Sequence, residues 1–159
     1  MRRVLIVEDS ASTRAFVRAV LEAPEFSEIL ASQAGAAAPS GPSGQAAVTV
    51  AEATCGFDAM RLLPRGPYDL IITDINMADI NGLELIRFIR KSVHHRTTPL
   101  LIISSLRAQH DVDRGLALGA NKYLTKPFTP EELRQACERL LAEAPVPEGD
   151  HPSSPARGP

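Results

Sequence analysis

The sequence predicts an α/β fold, a doubly wound and five-stranded parallel sheet with helices on both faces. Two observations predict it. Short apolar runs without alternation, which are typical of strands covered on both faces, recur along the chain. Between them lie stretches in which apolar residues have the three-to-four-residue spacing of a helix. Strands and helices that alternate in this way are expected to have right-handed connections.

Composition limits the possible functions. At 159 residues, with 44% hydrophobic and 23% charged content, the chain suits one globular domain. A net charge of −2 provides no broad basic field for nucleic acid or an anionic membrane. Cys55 and Cys137 fit no metal-binding or disulfide spacing, and no stretch is apolar enough to span a membrane. We therefore expect a cytoplasmic protein.

The strands are predicted from the apolar runs, and the helices between them from capping residues and apolar stripes. Ser10 or Ser12 caps the first helix and Pro24 ends it. Thr129 and Glu132 form a capping box before the last helix, whose apolar stripe includes Cys137 as a core thiol. The predicted strands are residues 4–7, 48–51, 70–73, 99–103 and 122–125, and the other helices are 57–63, a segment with Leu83, Ile86, Ile89 and Val93 on its apolar side, and 108–118.

Two segments lack the large apolar residues that a folded core needs. Residues 32–47 are rich in Ala, Gly, Ser and Pro and predict a flexible insertion, which we interpret as an inert surface loop. Residues 144–159 predict a disordered tail. The expected folded domain is therefore residues 1–143, with no DNA-binding output domain after it.

A cluster of cationic side chains marks the end of the predicted helix that carries Leu83. An anion or nucleic-acid patch is one interpretation. The favoured one is that these cations complement the carboxyl end of a helix. The cluster comprises Arg87, Arg90, Lys91, His94, His95 and Arg96.

Chemically active side chains follow four of the predicted strands. Glu8 and Asp9 follow the first, Asp74 the third, Ser104 the fourth and Lys126 the fifth. In a parallel sheet these ends meet at one edge, where ligands bind. Taken alone, Asp74 is interpreted more readily as a turn or cap aspartate than as a functional residue. Together, three mutually repelling carboxylates favour Mg²⁺, and Lys126 and Ser104 are suitable donors to a phosphoryl group. The set indicates phosphoryl transfer onto a carboxylate.

The motifs that carry these residues resemble the receiver domains of two-component response regulators. The resemblance covers roughly residues 3–142 and rests on segments 4–10, 74–77, 81–82, 103–105 and 119–128. It implies a flavodoxin-like (CheY-like) fold with strand order 2-1-3-4-5, in a stand-alone, single-domain regulator.

The resemblance also implies a role for each site residue. Asp74 would accept a phosphoryl group from a sensor histidine kinase or from a small donor such as acetyl phosphate. Asp9 and Asp74 would bind Mg²⁺ by their side chains, Glu8 through water and Asn76 by its backbone carbonyl. Lys126 would pair with the phosphoryl oxygens, and its peptide bond to the following proline would be cis.

A conformational switch is implied as well. Ser104 would move toward the phosphoryl group and Tyr123 would then change rotamer. This would alter the face made by the fourth predicted helix, the fifth strand and the fifth predicted helix, where a downstream protein binds, and the regulator would be a monomer or a phosphorylation-dependent dimer. Several positions depart from the family's commonest pattern: Ser104 replaces threonine, Ala78 replaces proline, and Ser105 takes a position where a small residue admits the phosphodonor.

Two alternatives to a phosphorylation-controlled signalling module remain. One is a receiver-like interaction module that works without phosphorylation. The other is a Mg²⁺-dependent phosphohydrolase that forms an aspartyl phosphate. Such a hydrolase usually has a second carboxylate two residues after the nucleophile, and the neutral Asn76 cannot serve as that acid or base. We therefore expect a signalling protein and not an enzyme.

Overall fold

The computed structural model describes residues 1–33 and 48–143. In chain order the elements are β1 (Arg2–Val7), α1 (Ala11–Glu22), α2 (Pro24–Gln33), β2 (Val48–Ala53), α3 (Gly56–Leu62), β3 (Leu70–Asp74), α4 (Gly82–Lys91), β4 (Leu100–Ser104), α5 (Gln109–Ala117), β5 (Lys122–Thr125) and α6 (Pro130–Glu143). A short 3-10 turn, Leu63–Arg65, follows α3. None of the helices in these ranges is both long and apolar enough to cross a bilayer.

The five strands form one parallel sheet in the order β2-β1-β3-β4-β5. Both the predicted fold class and the implied strand order are confirmed. Because all strands run the same way, their carboxyl ends lie along one edge of the sheet. That edge carries every site residue that the sequence placed at a strand end.

Helices cover both faces of the sheet, which explains why the strand sequences do not alternate. On β1, Val4 and Ile6 join a core built with α1, α2 and α6. Leu5 and Val7 face the other way and join a second core built with α3 and α4. All four side chains are fully buried, so each position of the strand needs an apolar residue.

The region after the first helix differs from the prediction. Ser10 caps α1 by accepting a hydrogen bond from the Thr13 amide. Pro24 ends α1 as predicted, but it also begins α2, where it is the first helical residue and the missing N–H costs nothing. The α2 side chain of Phe26 is fully buried. The predicted insertion at 32–47 therefore begins too early, because α2 continues to Gln33.

The remaining residues of that insertion, and the predicted tail at 144–159, lie outside the described residues. Their flexibility stays a prediction, as do the domain limits drawn from them.

The end of α4 is the second difference. The prediction that Val93 lies on the apolar side of this helix is wrong: α4 ends at Lys91, and Val93 is 76% exposed. The cationic cluster is also divided. His95 is buried and its Nε2 lies 2.9 Å from the Leu63 carbonyl oxygen. Arg90 donates to the carbonyl oxygens of Gly119 and Thr98, at 2.7 Å each, and so joins α4 to the loops beside it.

The last helix agrees with its prediction. The Thr129 amide donates to Glu132 Oε2 at 2.9 Å, and the Glu132 amide donates to Thr129 Oγ1 at 3.1 Å, which is the predicted capping box. Cys137 is fully buried in the core, and burial raises the pKa of its thiol to about 12.

Candidate functional site

The carboxyl-terminal edge of the sheet brings together side chains from four strands. Glu8 follows β1, Asp74 and Ser104 are the last residues of β3 and β4, and Lys126 follows β5. Glu8, Asp74 and Ser104 are buried, although the sheet edge is where the chain returns to solvent. Buried charged groups are costly unless they are paired. The buried carboxylates of Glu8 and Asp74 therefore require a positive charge nearby.

Lys126 supplies part of that balance. Its Nζ lies 2.7 Å from Glu8 Oε2 and 2.9 Å from Asp74 Oδ2. Burial on its own would lower the pKa of Lys126, but the hydrogen bonds and negative charges of Glu8 and Asp74 outweigh it, and the pKa is raised. Burial raises the pKa of Glu8, against the opposing effects of Lys126 and the Ser10 amide. The ammonium group is thus held as a cation between two carboxylates.

The three carboxylates form a compact oxygen cluster. Glu8, Asp9 and Asp74 each offer an oxygen, and these oxygens lie within 4.8 Å of one another. Asp9 is exposed, whereas the other two are buried. Three negative charges face one ammonium group, and carboxylate oxygens are hard ligands that suit Mg²⁺. The chemistry of the residues therefore fits a divalent cation.

Backbone contacts hold the acidic loop in place. The Ser10 amide donates to Glu8 Oε1 at 3.1 Å. Arg14, in the first turns of α1, donates through Nη1 to the carbonyl oxygens of Glu8 at 2.9 Å and Asp9 at 3.3 Å. Arg14 was not among the site residues predicted from the sequence. The sequence does place this cation shortly after the acidic pair Glu8 and Asp9, which could have suggested an interaction. The guanidinium group of Arg14 binds their backbone carbonyl oxygens, however, and not their carboxylates.

The loop after Asp74 is fixed at both ends. The Asn76 amide donates to Asp74 Oδ1 at 3.1 Å, which orients the carboxylate. The Gly82 amide donates to the Ile75 carbonyl oxygen at 2.9 Å. A Cβ atom on Gly82 would lie 2.2 Å from the Asp74 carbonyl oxygen, so only glycine fits here. Asn81 caps α4 by accepting from the Leu83 amide at 3.0 Å.

The described hydrogen bonds of the Ser104 and Tyr123 hydroxyls go to the backbone and not to the carboxylates. The Ser104 hydroxyl accepts a hydrogen bond from the Leu106 amide at 3.1 Å. The Tyr123 hydroxyl donates to the carbonyl oxygen of the same Leu106 at 2.8 Å. The two residues proposed as a switch thus bind the backbone of the same residue, Leu106, a link that was not predicted from the sequence.

An open cleft of about 550 Å³ lies beside Lys126. Its apolar side is formed by Phe16 and Phe128, whose ring centroids are 5.8 Å apart. The peptide bond between Lys126 and Pro127 is cis, as the resemblance implied. The lining residues are Ser12, Thr13, Phe16, Ser105, Arg107, Lys126, Pro127 and Phe128.

Comparison with known proteins identifies the family. The family sequence model described as response regulator receiver domain matches residues 43–138, which is more than half of the chain. This chain belongs to that family. It is a receiver domain of the kind used in phosphorelay signalling, and the family is one of signalling proteins that are generally not enzymes.

Curated relatives agree with this assignment. A CheY homolog of Campylobacter jejuni, named as a chemotaxis protein, is 27% identical over 140 residues, which cover 87% of this chain and 92% of that protein. A probable transcriptional regulatory protein of Picosynechococcus is 44% identical over 78 residues, but the match spans 30% of its length.

Solved structures share the fold. CheY4 of Vibrio cholerae, a chemotaxis response regulator, has a TM-score of 0.68 and 28% identity over 88% of this chain and 98% of that one. The receiver domain of a histidine kinase from Syntrophus aciditrophicus has a TM-score of 0.70 and 25% identity over 97% and 100%. The family match begins at residue 43 and so leaves out β1 and Glu8. In the folded chain, however, Glu8 is paired with Lys126, which lies inside the matched region.

Proposed function

We propose that this receiver domain accepts a phosphoryl group on Asp74. The observation that carries the proposal is the position of the Asp74 carboxylate, which is buried at the sheet edge with Oδ2 bound to Lys126 and Oδ1 bound to the Asn76 amide. A carboxylate oxygen of Asp74 attacks the phosphorus atom of the donor. The bond from phosphorus to the histidine nitrogen of a sensor kinase, or to the carboxyl oxygen of acetyl phosphate, breaks, and imidazole or acetate leaves.

A divalent cation is part of this proposal. Mg²⁺ would be held by the side chains of Asp9 and Asp74, by Glu8 through water and by the backbone carbonyl of Asn76. When bound, it supplies positive charge that lets an anionic donor approach three carboxylates. Lys126 already lies between Glu8 and Asp74 and is positioned to pair with an incoming phosphoryl oxygen instead.

The signal would leave the site through Ser104 and Tyr123. In the proposed switch the Ser104 hydroxyl exchanges the Leu106 amide for a phosphoryl oxygen, and Tyr123 then changes rotamer. The surface that changes is made by α5, β5 and α6, the face that the sequence analysis assigned to a downstream protein. Arg107, Tyr123 and Glu132 line a polar cleft on that face.

Asn76 supports signalling over hydrolysis. Its side chain is neutral, and the described contact to Asp74 uses its backbone amide. A water molecule that attacked the aspartyl phosphate would therefore receive no general base from this position.

The test is phosphorylation by acetyl phosphate, measured by intact mass with and without Mg²⁺. Wild type should gain one phosphoryl group when Mg²⁺ is present and none when EDTA replaces it. Asp74→Asn should gain none, because the nucleophilic carboxylate is gone. Asp113→Asn is the matched control, since Asp113 is exposed on α5 and bonded to Gln109. Equal labelling of wild type and Asp74→Asn would contradict the proposal.

A further inference from the structure

Asp79 lies in the loop between β3 and α4, outside the carboxylate cluster, and its side chain joins two parts of the molecule. We propose that Asp79 is a positioning residue, which holds this loop against the first turn of α3 and so keeps the Asn76 backbone in place for the metal. The inference rests on the proposed function because it concerns the proposed Mg²⁺ site.

The carboxylate of Asp79 makes a two-point contact with α3. Oδ1 accepts from the Gly56 amide at 3.1 Å, and Oδ2 accepts from the Phe57 amide at 2.9 Å. The first amides of a helix have no partner inside the helix. The next one, of Asp58, is satisfied by Cys55 Sγ. Asp79 therefore caps α3 from a loop 22 residues away along the chain.

An apolar contact accompanies the hydrogen bonds. A Cβ atom on Gly56 would lie 2.8 Å from Cβ of Ile80, the residue after Asp79. The loop approaches α3 so closely that a glycine is required at the point of contact. The hydrogen bonds of Asp79 and the apolar contact of Ile80 involve neighbouring residues of the loop and neighbouring residues of α3. Several adjacent contacts hold the loop in one orientation, which a single contact would not do.

The middle of the loop depends on this contact. Its ends are held by the Asn76 and Gly82 amides and by the Asn81 cap. Within the described residues, the hydrogen bonds of Asp79 are the ones that tie residues 77–80 to another part of the chain. Asn76, the proposed metal ligand, lies between the fixed carboxylate of Asp74 and this middle segment. Loss of the contact would therefore free the chain on one side of Asn76.

The charge state of Asp79 is consistent with this role. The hydrogen bond from the Phe57 amide, with those from the Ile80 and Gly56 amides, holds the pKa of Asp79 far below its ordinary value, so it accepts from these amides as an anion at neutral pH. Anionic side chains are favourable at the amino end of a helix. The Asp79 carboxylate is separate from the oxygen cluster of Glu8, Asp9 and Asp74, so its effect on the metal would be indirect.

The experiment measures Mg²⁺ binding and amide hydrogen exchange in the full chain without a phosphodonor. Asp79→Ala should raise the Mg²⁺ dissociation constant by about three- to tenfold. This is no more than the roughly tenfold loss at the low end for removing a residue that hydrogen-bonds a metal ligand directly, because Asp79 acts through the loop. Amide exchange of Gly56, Phe57 and Asn76 should accelerate in the metal-free protein. Asp79→Asn, which keeps one acceptor oxygen, should give smaller changes and also serves if the alanine variant folds poorly.

Asp58→Ala is the control. Asp58 also lies in the first turn of α3, where its carboxylate accepts from the Thr54 amide and pairs with Arg61, and neither of these contacts involves the loop. It should leave the Mg²⁺ dissociation constant within about twofold of wild type. An equal loss in both variants, or an unchanged dissociation constant in Asp79→Ala despite faster Gly56 and Phe57 exchange, would overturn the positioning role. If wild type itself binds no Mg²⁺ at millimolar concentrations, the proposed metal site is wrong, and the Asp79 proposal is overturned with it.

Discussion

Replacement of Lys126 by methionine tests whether the acidic cluster depends on its one ammonium group. Methionine keeps most of the unbranched stem and removes the charge. It leaves Glu8 and Asp74 buried, with side-chain exposures of 1% and 7%, next to Asp9 and without their shared cation. We expect the variant to fold but to unfold at a lower urea concentration in the absence of Mg²⁺.

The magnitude follows from the two contacts. Unit charges about 2.8 Å apart at an effective permittivity of about 20 attract by about 6 kcal/mol before desolvation is subtracted. Removing one partner of a buried ion pair costs about 3–5 kcal/mol. The side chain of Lys126 keeps 23% exposure, and water screens part of the interaction. We therefore expect a loss of about 2–3 kcal/mol in the free energy of unfolding, out of a typical total of about 5–15 kcal/mol.

The assay is urea unfolding with EDTA and with saturating Mg²⁺. Lys126→Met should gain more stability from Mg²⁺ than wild type does, because Glu8 Oε2 and Asp74 Oδ2 no longer pair with the ammonium group. Its deficit should also be smaller at acidic pH. Removal of Lys126 takes away an interaction that lowers the pKa of Glu8, so in the variant Glu8 takes up a proton at higher pH and one negative charge is lost.

Lys122→Met is the control for this experiment. Lys122 begins the same strand at its other end and forms no ion pair with any described residue. It should change stability by less than about 0.5 kcal/mol. A Lys126→Met variant as stable as Lys122→Met in EDTA, or one with the same Mg²⁺ response as wild type, would refute the reasoning.

Three further predictions test the surrounding structure. Gly82→Ala should lose about 2–3 kcal/mol in urea unfolding, because its Cβ would lie 2.2 Å from the Asp74 carbonyl oxygen, and a change below about 0.5 kcal/mol would contradict that contact. Arg90→Met should lose about 2–4 kcal/mol, since it leaves several carbonyl oxygens without their donor, whereas Arg87→Met, on the exposed side of α4, should be nearly neutral; equal losses would contradict this account. Deletion of residues 34–47 should leave phosphorylation by acetyl phosphate intact, because β2 begins at Val48 on the edge of the sheet opposite Asp74, and a folded deletion variant that gains no phosphoryl group would argue against the predicted inert insertion.

The sheet and its acidic edge could be predicted because both depend on local pattern and chain order. Residues 4–7 and 70–73 are apolar without alternation, which is the pattern of a central parallel strand. Once the strands are parallel, the residues that follow them must share one edge. Glu8, Asp74 and Lys126 could therefore be grouped before any contact was known.

The helix errors have local causes. Pro24 is equally suited to follow a helix or to occupy the first turn of one, and here it does both. The apolar spacing that ends at Ile89 continues in the sequence to Val93, but Ser92 turns the chain, with its amide bonded to the Ile89 carbonyl oxygen. Periodicity alone does not locate such a turn.

The contacts between loops could not be predicted. Asp79 binds amides that lie 22 and 23 residues before it, and Arg90 binds the carbonyl oxygen of Gly119, 29 residues after it. Every residue has a backbone carbonyl, and every residue except proline has a backbone N–H, so a side chain that binds these groups needs no complementary residue type in the sequence. Only the approach of two loops in the folded chain selects the partner.

Leu106 gives the proposed switch a specific route in this chain. Its amide donates to Ser104 Oγ and its carbonyl oxygen accepts from Tyr123 Oη, so one residue's backbone joins the sheet edge to the α5-β5-α6 face. If the Ser104 hydroxyl turns to a phosphoryl oxygen on Asp74, the Leu106 amide loses its acceptor. An amide without an acceptor is destabilising, which favours a rotation of the backbone around Leu106. Any such rotation also moves the carbonyl oxygen that holds Tyr123. The two side chains would then respond together, because both are hydrogen-bonded to the backbone of the same residue, Leu106.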